Sequence, residues 1–192
     1  MKTTTLLFLF LSTAASAALA QISPELQITL AVQAAPETER AAATVHGYDG
    51  DGTFTTLREG SNELICIAPN PESDRFEVSC HHLGLEPFFA RGRELLANGV
   101  EGEERTKTRW SEIAAGTLSL PSGTTNTIVT GSGFDPDTGA IAESSTRWVI
   151  YMPGATAGST GLPERPMGPG SPWLMFSGTQ GAHIMITPAT GN

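Results

Sequence analysis

The chain is short of lysine, short of cysteine and without a recognisable catalytic signature, and each shortage narrows what it can do. It has two lysines, Lys2 and Lys107, against nine arginines and twenty acids, for a formal net charge of −9. A surface of that sign repels phosphate backbones and anionic headgroups, which argues against nucleic acid and membrane surfaces as partners. The excess of arginine over lysine assigns no function by itself. No C-x-x-C pair, H-E-x-x-H, G-x-S-x-G elbow or S-x-x-K occurs, and no glycine-rich phosphate loop follows a strand. No apolar run reaches the ~20 residues that a membrane-spanning helix needs.

One segment does carry an address. Met1-Lys2 is a charged start, Leu6–Leu11 is apolar, and Ser12–Ala20 is rich in small residues and ends Ala18-Leu19-Ala20. That order predicts a secretory signal over residues 1–20, cut near Ala20 at an A-x-A site. Gln21 follows, not cysteine, so no lipid anchor is expected. The expected product is one globular domain over 21–192, periplasmic or extracellular, within the size range of single domains. An apolar content of 39% is ordinary for such a domain.

An oxidising compartment gives the only two cysteines their meaning. Cys66 lies in Leu64-Ile65-Cys66-Ile67, and Cys80 ends Phe76-Glu77-Val78-Ser79-Cys80, where apolar and polar residues alternate. Ala68–Asp74 between them is rich in turn formers. The reading is a hairpin closed by a Cys66–Cys80 disulfide, worth ~3 kcal/mol for a loop of this size.

Elsewhere the pattern predicts α+β architecture, with an antiparallel sheet built from hairpins and two or three packing helices. Ser23-Pro24-Glu25 reads as a capped helix start, running to Ala35 and stopped by Pro36. A rival strand reading rests on the alternation of Leu26, Ile28, Leu30 and Val32. Two β-prone runs around Asp49–Gly52 make a first hairpin. Pro87–Ala97 is the clearest helix, with a stripe of Leu85, Phe88, Phe89, Leu95 and Leu96 and a stop at Asn98-Gly99. A second, more polar helix follows from Glu101, facing the core through Trp110 and Ile113. Leu118 and Leu120 read as a short strand. Ile128–Thr130 with Arg147–Met152, and Trp173–Phe176 with Ala182–Ile186, complete two further hairpins.

The stretch 153–172 holds five glycines and five prolines without apolar periodicity. Loops this long inside compact domains are usually functional or disordered. The strands on both sides pin this one, so it reads as an ordered or semi-ordered surface loop, either a slack connector or a candidate binding surface rimmed by Trp148, Tyr151 and Trp173 and carrying Met167.

Several short pieces together resemble a loose group of exported bacterial proteins with no assigned function. They are Ala34-Ala35-Pro36 closing a helix, Ala43-Thr44-Val45, Arg58–Asn62 ahead of Cys66, and the second cysteine ahead of an amphipathic helix. The resemblance implies an exported single domain and carries no activity.

Three kinds of chemistry have candidate residues. His81 or His82 with His183 and an acid such as Glu86 would form a hydrolase or metal site, although adjacent histidines on a strand point to opposite faces. Met152, Met167, Met175 and Met185, with His183, are soft donors of the kind that select Cu(I), though methionine in apolar strands is usually packing. Asp49–Gly52 and Asp135–Gly139 miss the spacing of a calcium loop and read as turns. Glu101, Glu103, Glu104 and Glu112 read as a solvated helix face. The expected function is therefore non-catalytic binding of a protein or small-molecule ligand, with no cofactor. A small hydrolase or metal enzyme and a copper-handling protein are the alternatives.

Overall fold

The computed structural model describes residues 22–188. The expected signal segment, residues 1–20, lies outside them. The molecule is α+β, an eight-stranded, mostly antiparallel sheet with helices on both faces and one disulfide. Strand order is β2-β1-β3-β4-β5-β8-β10-β9. The strands are β1 (Thr44–Tyr48), β2 (Phe54–Arg58), β3 (Leu64–Ile67), β4 (Phe76–His82), β5 (Thr125–Gly131), β8 (Ser145–Tyr151), β9 (Trp173–Met175) and β10 (His183–Ile186). Two-residue strands β6 (Gly133–Phe134) and β7 (Ile141–Ala142) pair separately around the Asp135–Gly139 turn.

Every hairpin pairing expected from the sequence forms. β1 pairs with β2, β3 with β4, β5 with β8 and β9 with β10, all antiparallel. The one parallel pair among the described residues, β1 with β3, has no local signature. After β2 the chain crosses the start of β1, where Ser61 and Asn62 donate to Ala42 O and Gly60 N to Thr44 Oγ1. A side chain at Gly60 would overlap the backbone of residues 42–44, so only glycine allows that passage. The expected strand at Leu118 and Leu120 does not form. The N–H groups of Thr117 and Leu118 both bond Glu112 O, so the segment finishes a helix and offers no ladder.

Helix α1 (Pro24–Ala31) starts on a Ser23 cap and continues as a 3₁₀ turn to Ala34. Its buried positions, Gln27, Leu30, Ala31 and Ala34, follow helical spacing, and the alternation that suggested a strand is not the one used. Small alanines let the helix settle close to the sheet, and Cys80 Sγ lies 3.4 Å from Ala31 O. Buried Gln27 ties the helix to β1. Its amide donates to Ile22 O and Tyr48 O and accepts from Tyr48 N. The first core, around Val45, Cys66, Val78, Cys80 and Val129, lies on this face. Cys66 and Cys80 are direct cross-strand partners and form the disulfide.

The opposite face carries α2 (Glu86–Ala97) and α3 (Gly102–Ala114). Phe88, Gly92 and Leu95 form the buried stripe of α2. Arg91 grips Glu112 of α3 with both Nε and Nη2, at 2.6–3.0 Å, and locks the two helices together. A second core forms beneath them around Leu85, Phe88, Val149, Tyr151 and Met185.

The 153–172 stretch is an ordered cover and not a free loop. It contains one helical turn, α4 (Ala157–Thr160), closed by a reciprocal Thr156–Ser159 capping box. Ala155 and Leu162 join Leu174, Ala182 and Ile184 in a third apolar group. Backbone bonds from Leu174 N to Pro163 O and from Gly170 N to Thr187 O stitch it down. Among the described residues no helix is long and apolar enough to cross a membrane.

Candidate functional site

Strand parity decides which side chains meet α2 and α3. His46, Ile67, His81, Asn126, Val149, Tyr151, His183 and Met185 all fall on that face by register. Between this face and the two helices lies a cleft of about 540 Å³. Its walls are aromatic. Phe88 meets Phe89 and Tyr151 edge-on at centroid separations of 5.7 Å, and Tyr151 lies 5.4 Å from His183. Trp110 of α3 reaches across to Phe176 at 5.3 Å and packs on Gly181, where any side chain would overlap the indole.

The cleft has a satisfied end and an unsatisfied one. At the β1–β2 end, Glu86 bridges buried His81, 2.9 Å away, and Arg93, which also lies 4.7 Å over Phe54. Burial alone would raise the Glu86 pKa. The hydrogen bond from His81 and the charge of Arg93 reverse this and hold the carboxyl below its ordinary value. That network pins the start of α2 to β4.

At the other end, Arg105 and Arg109 sit one helical turn apart on α3 and enter the cleft without an ion pair among the described residues. Arg109 lies 4.2 Å over the Phe88 ring. Burial and the neighbouring Arg105 charge lower its pKa. Glu112, whose charge also acts on Arg109, is already held by Arg91. Among the described residues the buried side-chain polar atoms without a hydrogen-bond partner are Arg105 Nε, Arg109 Nε and Asn126 Oδ1. All three residues line this one cleft. A larger hollow of about 1120 Å³, between the Asp49–Gly52 turn and the 69–75 loop, is lined by none of them.

Two more features mark the unsatisfied end. His183 Nδ1 donates to Gly181 O at 2.7 Å, so its proton is on Nδ1 and Nε2 has no partner among the described residues. Burial lowers its pKa and favours the neutral ring, while burial pushes the Tyr151 phenol up to about 12. Phe176, between Trp110 and His183, has φ 55, a left-handed conformation that is strained for a bulky side chain.

The structure separates the residues that the sequence grouped. His81 and His183 line the same cleft, but Phe89 and Tyr151 stand between them. His82 is on the opposite face, where Nδ1 accepts from Gly84 N and Nε2 faces Glu63 at 3.3 Å. Among the described residues no three His, Cys, Asp or Glu side chains are placed to hold a metal ion. Met175 and Met185 flank His183 on the cleft face, Met152 packs in the third apolar group, and Met167 is 74% exposed in the cover. The aromatic rim also divides. Tyr151 and Trp173 pack in the second core, whereas Trp148 faces the other side and is 41% exposed.

Sequence reasoning passed over Arg105, Arg109 and Asn126. The usable signal was Gly92, a glycine inside an otherwise strong helix, whose Cβ would stand 3.0 Å from Arg109 Nη1. No protein family, curated protein or solved structure matches the chain.

Proposed function

We propose that the chain is an exported, non-catalytic binding protein whose small-molecule ligand occupies the cleft between α2–α3 and the sheet. One observation carries this reading: the orphaned buried polar atoms of Arg105, Arg109 and Asn126 all line one aromatic-walled cleft. Buried donors and acceptors without partners cost about 1–3 kcal/mol each, and a ligand that pairs them recovers that cost. A volume of about 540 Å³ is within the range of small-molecule sites. The disulfide and the leader-like residues 1–20 support export, and the overall negative charge directs the search away from nucleic acid.

The test is NMR of the arginine Nε–H signals during titration with small-molecule extracts of the culture medium. Shifts confined to Arg105 and Arg109, with the extract recovered chemically unchanged, support the reading. Unmoved signals would refute binding in the cleft, and consumption of a component would replace binding with catalysis. Mass spectrometry of the protein collected outside the cytoplasm should find an N-terminus at Gln21. A full-length chain there would refute cleavage near Ala20, and absence of the protein from that fraction would refute export.

A further inference from the structure

Resting on that reading of the cleft, we propose that its ligand is a small organic acid, with a carboxylate gripped by Arg105 and Arg109 and a flat apolar body lying among Phe88, Tyr151 and Phe176. The charge follows from who is paired and who is not. In a chain with twenty acids, Arg91, Arg93 and Lys107 each hold a carboxylate. Arg40 and Arg58 bond backbone carbonyls, and Arg75 and Arg165 are exposed, whereas among the described residues the partly buried Arg105 and Arg109 hold no carboxylate and stand next to one another on α3. Two like charges side by side and partly removed from water repel, and an anion shared between them reverses the sign of that interaction. Arg147, on the sheet across the same cleft, adds a third guanidinium that forms no ion pair among the described residues.

The planar fork of a guanidinium matches the two oxygens of a carboxylate, and Arg109 is held 4.2 Å over the Phe88 ring. Gly92 keeps the space beside its Nη1 clear of a Cβ. The body of the ligand is specified by the apolar part of the walls, where Phe88, Tyr151 and Phe176 lie with Met175. Such walls favour a flat apolar group, and the volume admits one or two rings. Asn126 Oδ1 and His183 Nε2 add polar contacts beside the rings.

Isothermal titration of the oxidised protein with benzoate, cinnamate and 2-naphthoate tests this, alongside the three corresponding amides, phenyl phosphate and acetate. The expected result is saturable binding of at least one aryl carboxylate, with its amide weaker by about thirtyfold or more, a factor in keeping with hydrogen bonds to a charged group. Acetate should not saturate. Arg105→Gln and Arg109→Gln should each weaken the best acid about tenfold or more, whereas Lys107→Gln, on the same helix but 70% exposed, should leave it unchanged. Should Arg109→Gln unfold the protein, Arg105→Gln and the amide series still decide. Amides binding as well as acids, or affinity indifferent to both arginines, would overturn the carboxylate while leaving the cleft a ligand site. Preference for phenyl phosphate over every acid would replace the carboxylate with a phosphate ester. Failure of all the acids to bind would overturn the proposal, and the extract titration decides separately whether the cleft binds anything.

Discussion

Gly92 stands where a Cβ would approach Arg109 Nη1 to 3.0 Å, in the middle of a helix that would otherwise favour alanine. Glycine there costs the helix roughly 1 kcal/mol relative to alanine. Arg109 is a flexible side chain and can give way, so Gly92→Ala should not harm the fold. The expected outcome is a variant as stable as the parent or more stable by up to ~1 kcal/mol in urea unfolding. Its affinity for the best aryl carboxylate should fall, because the guanidinium is pushed off the Phe88 face. A variant that gains stability and keeps full affinity would show that the glycine has nothing to do with the position of Arg109.

Phe176 permits a related separation of stability from binding. Its left-handed φ of 55 is strained, and its ring stays 46% exposed between Trp110 and His183. Such strain amounts to ~1–3 kcal/mol for a residue of this kind. Phe176→Gly relieves it and removes one wall of the cleft. Thermal unfolding should stay level or rise, while ligand affinity falls. A large loss of stability would mean that the ring is holding α3 to the sheet through Trp110, and that its strain is offset by packing.

Much of the fold was legible because its signals are local. The Ser23 cap with Pro24, the Asn98-Gly99 stop and the turn between Cys66 and Cys80 all sit within a few residues of what they determine. The Cys80 side chain was placed on the buried face by alternation with Glu77 and Ser79, and the disulfide forms there. The parallel β1–β3 pair was not legible, because it depends on a passage over residues 42–44 and not on any turn type. The site was less legible still. Arg105 and Arg109 read as an ordinary polar helix face until Phe88, Gly92 and the sheet close over them, and Asn126 is one polar residue in a strand. His81, His82 and His183 drew attention by residue type, but two of them are spent on Glu86, Gly84 and Glu63.

The pH dependence of stability follows from buried His183 and half-buried His46. Burial holds the folded pKa of His183 below the ordinary 6.5, and that of His46 is lowered for the same first reason. Below 6.5 the unfolded chain therefore binds more protons than the folded one, and stability falls as pH drops until the folded values are passed. Glu86 acts in a lower window. Its depressed pKa stabilises the fold above about 4.5, and that contribution is lost as pH falls through its folded value. Urea midpoints measured from about pH 8 to pH 4 should show a decline that starts near 6.5 and steepens below 4.5. His183→Gln should flatten the upper part of the decline without removing it, because His46 remains. An unchanged profile would show that His183 takes up its proton in the folded state without penalty.

The 153–172 cover should divide sharply into a part that matters for the fold and a part that does not. Ala155 and Leu162 pack against Leu174, Ala182 and Ile184, and Pro163 O pairs with the N–H of edge strand residue Leu174. The run 164–170 is exposed throughout. Closing a shorter flexible loop changes the entropy only slowly with length. Replacing Glu164–Pro169 by two glycines should then leave the unfolding free energy within about 0.5 kcal/mol, since no buried contact is touched. Leu162→Ala, by contrast, should cost ~1–3 kcal/mol, below the full range for core leucines because the residue is only half-buried. Neither change should alter ligand affinity, since the cleft lies on the other face of the sheet. A shortened protein that folds but no longer binds would move the functional surface to this cover and to Met167 at its tip.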